Sequence, residues 1–188
     1  MPETSWQPEP DADRTLEENW LFRLRRERFR SRRTGKAHDY YVMHLADAVN
    51  VIALTTDRRV ILVRQFRAGS NSDSLEPPGG LLEDGEDPRE AGARELLEET
   101  GYAGDPAIVL GAAWSNPSIL SSKITTILIE NASLVGEPKL DESEELQVEL
   151  MPAEAIPQAI QDGSIDHALA VGGLLLWLFA REFPPAGG

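Results

Sequence analysis

The sequence has no cysteine among its 188 residues. Disulfides, thiol catalysis and thiolate metal sites are therefore excluded, and an intracellular setting fits this composition. Long apolar runs are also missing, because the longest one, residues 168–180, is too short to span a bilayer. The first six residues lack the basic and apolar regions of a signal peptide. We therefore expect a cytoplasmic protein without a membrane-spanning segment.

Basic residues are scarce, since 18 Lys and Arg stand against 32 Asp and Glu and the net charge is −14. Nucleic-acid phosphates demand Lys and Arg, so this balance argues against a nucleic-acid binder. An anionic substrate remains compatible with it where a cation or a local arginine cluster screens the charge. Seven arginines crowd residues 23–33. We interpret them as a solvated strand face or as partners of acidic surface groups.

The hydrophobic pattern predicts the order of the secondary structure elements. Strands are expected at residues 20–30, 40–45, 49–55, 60–65, 107–114, 123–130 and 146–150. Helices are expected at residues 88–100, 152–162 and 165–181, and residues 69–74 are expected to form a polar loop. Strands, a helix, more strands and two final helices favour a mixed α/β or α+β sandwich over a regular βαβ repeat.

The composition also predicts a domain organisation. Residues 1–19, rich in Pro, Glu and Asp, are expected to form a flexible N-terminal arm. Residues 20–183 are expected to form a single domain that opens with a β-hairpin at 20–45, and residues 184–188 a tail. The three histidines, His38, His44 and His167, have no ligand spacing and are interpreted as structural or surface residues.

Residues 80–102 hold the densest group of charged side chains. Glu95, Glu98 and Glu99 stand at i, i+3 and i+4, so they share one face of the predicted helix. Like charges at these spacings destabilise a helix, and a divalent cation such as Mg²⁺, which takes oxygen ligands, is the simplest compensation. A solvated acidic helix is the alternative.

Written as spacing, the stretch is G-x5-E-x7-R-E-L-x-E-E-x-G-Y, from Gly80 to Tyr102. This pattern resembles the Nudix box at every charged and glycine position, and departs from it only at Tyr102, where the family prefers an aliphatic residue. With each residue type near roughly 7% abundance, seven fixed matches arise by chance about once in 10⁸ windows. A solvated acidic helix does not explain the distant Gly80 and Glu86.

The resemblance implies a Nudix fold, an α/β/α sandwich with a mixed sheet between helices. It also implies hydrolysis of a nucleoside diphosphate linked to another group. Carried over to this chain, it makes Glu95, Glu98 and Glu99 ligands of Mg²⁺ or Mn²⁺, with a further ligand in the carbonyl of Gly79. Arg94 would orient the glutamates, and its i,i+4 relation to Glu98 permits an ion pair.

The flanking residues resemble the ADP-ribose pyrophosphatase branch of this family. Arg67 follows a strand as in that branch, Glu76 opens its Glu-x-Pro-Ala-Gly segment, and Pro117 lies sixteen residues beyond Gly101. We assign Arg67, Glu76 and Pro117 to substrate binding; for Arg67 a surface charge is the alternative. Ser118 stands where the branch has glycine. ADP-ribose is therefore the best candidate substrate, and another nucleotide sugar such as GDP-mannose is the alternative.

The branch implies two further features. It places a catalytic glutamate in a loop after the box, where Glu145 is our first choice and Glu144 the second; a solvated acidic loop is the alternative. It also forms dimers by exchanging an N-terminal β-domain, so we expect a homodimer in which the hairpin at 20–45 takes part. Trp20 would then stack on adenine or pack within the hairpin.

Two other functions compete with this hypothesis. One is a non-catalytic Nudix domain that senses a nucleotide; the intact set of Glu95, Glu98 and Glu99 argues against it, since a sensor has no need of all three. The other is hydrolysis of different Nudix substrates, such as dinucleoside polyphosphates or NADH.

Overall fold

The computed structural model describes residues 4–140 and 145–183. Contacts within the chain group it into two compact units, one formed by residues 4–47 with Trp114–Lys123 and the other by Ala48–Ala113 with residues 124–183. The strands before Asp47 pair in a sheet of their own, and the single domain expected over residues 20–183 stays a prediction. Within the two described ranges, no helix combines the length and hydropathy that crossing a bilayer requires.

The first unit contains a four-stranded antiparallel sheet. Strand β3 lies at its centre; β4 pairs along one edge, while β1 and β2 share the other. The predicted hairpin corresponds to β3 and β4, and Gly35 in its turn has a φ of 69°, which glycine adopts without strain. The strands are β1 (Trp6–Pro8), β2 (Arg14–Glu18), β3 (Arg23–Ser31) and β4 (Ala37–His44).

The N-terminal segment differs from the expected flexible arm, because its described residues include β1, a 3₁₀ turn at Pro10–Ala12 and β2. The edge of β3 supplies the backbone partners of both strands. Trp6 also packs edge-on against His38 and Tyr40, with ring centroids 5.3 and 5.6 Å apart. Residues 1–3 and the predicted tail, 184–188, lie outside the described residues.

The arginines of β3 lie next to carboxylates of the same unit. Arg28 Nε lies 2.6 Å from Asp39 Oδ1, and Arg30 Nε lies 2.6 Å from Glu9 Oε1. Five of the seven clustered arginines are therefore partners of acidic groups, which agrees with one of the two sequence interpretations. Further pairs are Arg23 with Glu18, Arg25 with Asp13 and with Glu27, and Arg26 with Asp39.

The second unit is built on a seven-stranded mixed sheet. The order is β11-β6-β5-β10-β8, with β7 on β6 and β9 on β10. β5 and β10 run parallel, whereas β6 runs antiparallel to β5, β7 and β11. The strands are β5 (Ala48–Thr55), β6 (Arg59–Arg67), β7 (Ser72–Glu76), β8 (Tyr102–Ala103), β9 (Ile108–Trp114), β10 (Lys123–Leu134) and β11 (Leu146–Pro152).

Helices cover both faces of this sheet. Successive residues of a strand point to opposite faces, so Val51 packs in a buried cluster with Leu96 of α1, while Ile52 packs in another with Trp177 of α3. This is the α/β/α sandwich with a mixed sheet that the resemblance implies. The helices are α1 (Pro88–Thr100), α2 (Ile156–Gln161), which follows a 3₁₀ turn at Ala153–Ala155, and α3 (Ala168–Glu182).

Candidate active site

Helix α1 carries the glutamates, and its bounds, Pro88–Thr100, are those predicted. Asp87 caps its start by accepting a hydrogen bond from Arg89 N at 2.8 Å, which satisfies a backbone donor that the helix leaves open. Gly101 ends it with a φ of 72°, a left-handed conformation that glycine adopts readily. Ala91 and Leu96 are fully buried against the sheet. The helix is thus held at both ends and along its apolar face.

Glu99 joins α1 to the loop that precedes it. Its side chain is only 4% exposed, and its Oε2 accepts a hydrogen bond from Gly79 N at 2.9 Å. The loop is fixed in turn, because Val49 N donates to Gly80 O at 2.9 Å and Val51 N to Pro78 O at 2.8 Å. The structure therefore places Glu99 against the backbone of the predicted metal-ligand residue Gly79.

The two loop glycines leave room for different neighbours. A Cβ atom at Gly79 would lie 3.0 Å from the carbonyl carbon of Val49 and closer still to its oxygen. Alanine, the family residue at this position in the resemblance, would therefore require a backbone shift here. A Cβ atom at Gly80 would instead lie 2.6 Å from Glu95 Cδ. The carboxylate of Glu95 thus occupies the space that any side chain at Gly80 would need.

Arg94 links three carboxylates. Its Nε and Nη2 donate to Glu86 at 2.9 and 3.0 Å, and its Nη1 donates to Glu95 at 2.8 Å and to Glu98 at 3.2 Å. These contacts raise the pKa of Arg94 and lower the pKa of Glu86. The ion pair of Arg94 with Glu98 that the spacing permits is present. The part of Glu86 in orienting Arg94 is visible only in the structure.

The oxygen atoms near Gly79 form a possible set of ligands for a divalent cation. Among residues 4–140 and 145–183, no three carboxylate or imidazole groups converge as they stand on a point where a metal ion could bind. Instead, Glu95 and Glu98 contact Arg94, and Glu99 contacts Gly79. Their chemistry still fits, because carboxylate and carbonyl oxygens are the ligands that Mg²⁺ and Mn²⁺ prefer. A cation bound here would require these side chains to turn from their present contacts towards a common point.

Arg67 and Glu76 form a second group at the ends of β6 and β7. Arg67 Nε and Nη2 donate to the two oxygens of Glu76 at 2.9 and 2.8 Å, and His167 Nδ1 lies 3.0 Å from Glu76 Oε2. Burial alone would raise the pKa of Glu76, which is 4% exposed, but Arg67 and His167 lower the pKa to about 2. Arg67 and Glu76 were predicted as substrate contacts, whereas His167 was not.

The charge of Arg67 also connects this group to α1. The hydrogen bonds that Arg67 donates to Glu76 raise the pKa of Arg67, and the negative charge of Glu99 adds to this effect. Arg67 therefore lies within electrostatic reach of a predicted metal ligand. A pocket of about 430 Å³ adjoins Arg67; Ser70, Ser74, Asp166 and His167 also line it.

The remaining predicted residues lie in different surroundings. Glu145 is exposed and lines a pocket of about 440 Å³ with Arg64 and Phe66, whereas Glu144 lies outside the described residues. Trp20, which is 91% exposed, and Pro117 belong to the first unit, and their substrate contacts stay predictions. Among the residues assigned to the site, the structure brings together these pairs: Arg67 with Glu76, Arg94 with Glu95 and Glu98, and Glu99 with Gly79.

The fold and the glutamate-bearing helix define a member of the Nudix family. The NUDIX domain model matches residues 44–170, and the chain belongs to this family. It is 35% identical over 115 residues to an ADP-ribose pyrophosphatase of Bacillus subtilis (strain 168), covering 61% of this chain and 62% of that protein. It is 35% identical over 135 residues to an ADP-sugar pyrophosphatase of Mus musculus, covering 63% of this chain and 62% of that protein.

These matches confirm the predicted family. They also confirm that ADP-ribose pyrophosphatases are among the relatives of this chain. The chain spans 62% of the length of each of the two relatives, which is less than two thirds. A crystal structure of an ADP compounds hydrolase superimposes with a TM-score of 0.81 over 95% of this chain and 98% of that one, at 24% identity. This likeness confirms the predicted fold.

Proposed function

We propose that the protein hydrolyses the pyrophosphate bond of a nucleoside diphosphate sugar, with ADP-ribose as the substrate and AMP and ribose 5-phosphate as products. One observation carries this proposal: two glutamates on one face of α1 meet the glycine loop, because Glu99 accepts a hydrogen bond from Gly79 N and the Glu95 carboxylate lies against Gly80. The names of the two relatives, an ADP-ribose pyrophosphatase and an ADP-sugar pyrophosphatase, support the substrate class.

Glu95, Glu98, Glu99 and the carbonyl of Gly79 would hold Mg²⁺, with Mn²⁺ as the alternative. A bound divalent cation supplies charge neutralisation of the phosphates and a more acidic water. Arg94 restrains the orientation of Glu95 and Glu98 through one nitrogen, Nη1. Because Arg94 is anchored to the loop outside α1, these carboxylates stay on the side of the helix that faces the loop.

Arg67 would bind the substrate diphosphate. A guanidinium has five N–H groups, and Glu76 accepts hydrogen bonds from two of the nitrogens of Arg67. The side chain of Arg67 is 44% exposed, so its other donors can meet a phosphate. Glu76 would therefore act on the substrate through Arg67, because its own carboxylate is buried.

The other assignments accompany this proposal. Glu145 or Glu144 would serve as the loop glutamate; Lys139 N donates to Glu98 O at 2.7 Å, so the chain leading to this loop runs along α1. Trp20 and Pro117 would contact the substrate. The homodimer, the part of the hairpin at 20–45 in it and the cytoplasmic location also stay predictions.

Product analysis tests the proposal directly. Purified protein with Mg²⁺ should release AMP from ADP-ribose faster than it acts on GDP-mannose, dinucleoside polyphosphates or NADH. Glu99→Gln should lower turnover by more than about 100-fold, because it removes a charged oxygen donor and keeps the shape. Glu90→Gln, an exposed position on the same helix, is the matched control and should be fully active.

Three results would contradict the proposal. A fully active Glu99→Gln variant would contradict the assignment of the metal ligands. A clear preference for GDP-mannose would contradict ADP-ribose as the substrate, but it would not contradict the reaction class. Absence of turnover on every substrate with either Mg²⁺ or Mn²⁺, together with measurable binding of ADP-ribose, would favour a nucleotide sensor.

A further inference from the structure

We propose that His167 is a positioning residue, which acts through Glu76 to hold Arg67 in the orientation that binds the substrate diphosphate. This inference rests on the proposed function, since it assumes that Arg67 binds phosphate. It concerns a residue for which the sequence offered only a structural or surface role.

The position of His167 is set by the packing of α3. His167 directly precedes this helix, and its carbonyl accepts a hydrogen bond from Val171 N at 2.9 Å. Asn50 on β5 donates to the carbonyl of Leu169 at 2.8 Å, and Ile165 is fully buried. The imidazole does not cap the helix. Its location is therefore fixed by the backbone around it, and its side chain is available for another contact.

That contact is the carboxylate of Glu76. His167 Nδ1 is buried and, in the part of the chain that the structure describes, has no well-aligned hydrogen bond. Glu76 Oε2 lies 3.0 Å from it. Burying a polar nitrogen costs the solvation that it has in water, and the carboxylate oxygen of Glu76 is a polar neighbour that offsets part of this cost.

The contact matters because Glu76 determines where Arg67 points. Arg67 is a long side chain that can adopt many rotamers at the end of a strand, and its two hydrogen bonds to Glu76 fix the plane of the guanidinium. A carboxylate can rotate about its last bond. Arg67 donates to both oxygens of Glu76, and His167 lies against Oε2 from the side of α3, so rotation of this carboxylate would disturb its contacts with both residues.

The arrangement therefore connects three elements. α3 fixes His167, His167 restrains Glu76 on β7, and Glu76 orients Arg67 on β6, which lies within electrostatic reach of Glu99. Without the imidazole, Glu76 keeps its charge and its pairing with Arg67, but both side chains gain freedom to move. Substrate binding should then weaken while the reacting groups on α1 remain in place.

Two substitutions at one position test this inference. In ADP-ribose hydrolysis, His167→Ala should raise KM about tenfold and leave kcat within about threefold, as expected when one contact with a charged group is lost. His167→Asn should restore most of the lost affinity, because its amide nitrogen lies close to the place of Nδ1 and asparagine suits the start of a helix. Gln161→Ala, at an exposed position of α2, is the control.

A second measurement does not depend on activity. The Arg67 Nε–H signal in ¹⁵N NMR, assigned with Arg67→Lys, should exchange with solvent at least about fivefold faster in His167→Ala than in the wild type or in His167→Asn. Equal exchange in all three proteins would overturn the inference. So would an unchanged KM in His167→Ala, or a loss in His167→Asn as large as that in His167→Ala.

The two proposals can fail separately. If the wild-type protein hydrolyses no nucleotide sugar, the proposed function fails, and the exchange measurement still decides whether His167 holds Arg67. If the wild type is active and the His167 variants match it in both measurements, the inference alone fails.

Discussion

Alanine in place of Gly80 should reduce activity strongly while leaving stability almost unchanged. The added Cβ atom would lie 2.6 Å from Glu95 Cδ, whereas two carbon atoms in contact are normally about 3.5–4.0 Å apart. The carboxylate of Glu95 must therefore move by about 1 Å or more. Its neighbours on the backbone need not move, because the three nearest atoms all belong to the Glu95 side chain.

The cost in stability follows from these contacts. A side chain forced off its preferred rotamer costs about 0.5–1.5 kcal/mol. The loss of glycine's freedom in the unfolded chain offsets about 0.4–1 kcal/mol of this, since Gly80 has no positive φ that alanine would resist. The net change in the free energy of unfolding should then stay within about 1 kcal/mol. A 1 Å displacement of a group that positions the reaction can cost about 100-fold in rate.

The assay measures both quantities on one set of proteins. Gly80→Ala should show kcat/KM for ADP-ribose lowered by about 100-fold with Mg²⁺, and a urea midpoint close to that of the wild type. Gly172→Ala on α3, where nothing lies within 4 Å of the added atom, is the control and should keep full activity. Wild-type kcat/KM in Gly80→Ala would refute the reasoning, and so would unfolding of this variant.

Two further substitutions test neighbouring parts of the site. Gly79→Ala should lower the free energy of unfolding by about 1–3 kcal/mol in urea titrations, because its Cβ atom meets the backbone of Val49 and not a flexible side chain; unchanged stability would contradict the geometry. Glu76→Gln should flatten the dependence of stability on pH. The pKa of Glu76 is about 2 in the folded protein against an ordinary value of 4.5, so its ionised form stabilises the fold above pH 4.5 and this contribution is lost between pH 4.5 and 2. The loss amounts to at most about 3 kcal/mol, and wild-type and variant curves of equal slope in this range would show that Glu76 contributes nothing.

Features with local signals were predictable from the sequence. The bounds of α1 agree with the prediction because Asp87, Pro88 and Gly101 act on their own neighbours in the chain. The continuous apolar runs of β5 and β6, residues 51–54 and 60–63, are likewise buried, as expected for strands covered on both faces. The three glutamates were found through their spacing, which on a helix is enough to place them on one face.

Features that depend on distant partners were not predictable. Residues 72–74 were expected to belong to the polar loop at 69–74, yet they lie in β7, where Leu75 pairs opposite Arg64 and is buried. Strands β1 and β2 likewise exist because the edge of β3 is available to them. His167 lies far from Glu76 in the sequence, after the last strand of the second sheet. No local pattern therefore relates the two residues.

The paired arginines of β3 have a consequence for how fast partners can associate with the first unit. Arg28 and Arg30 each lie within 2.6 Å of a carboxylate, and Arg25 lies 3.2 Å from Asp13, so positive and negative charges alternate over a few ångströms. Such a surface produces little net field beyond a Debye length, about 8 Å at physiological salt. These paired residues would therefore add little electrostatic steering of their own; surfaces without such steering associate at rates near 10⁵–10⁶ M⁻¹s⁻¹.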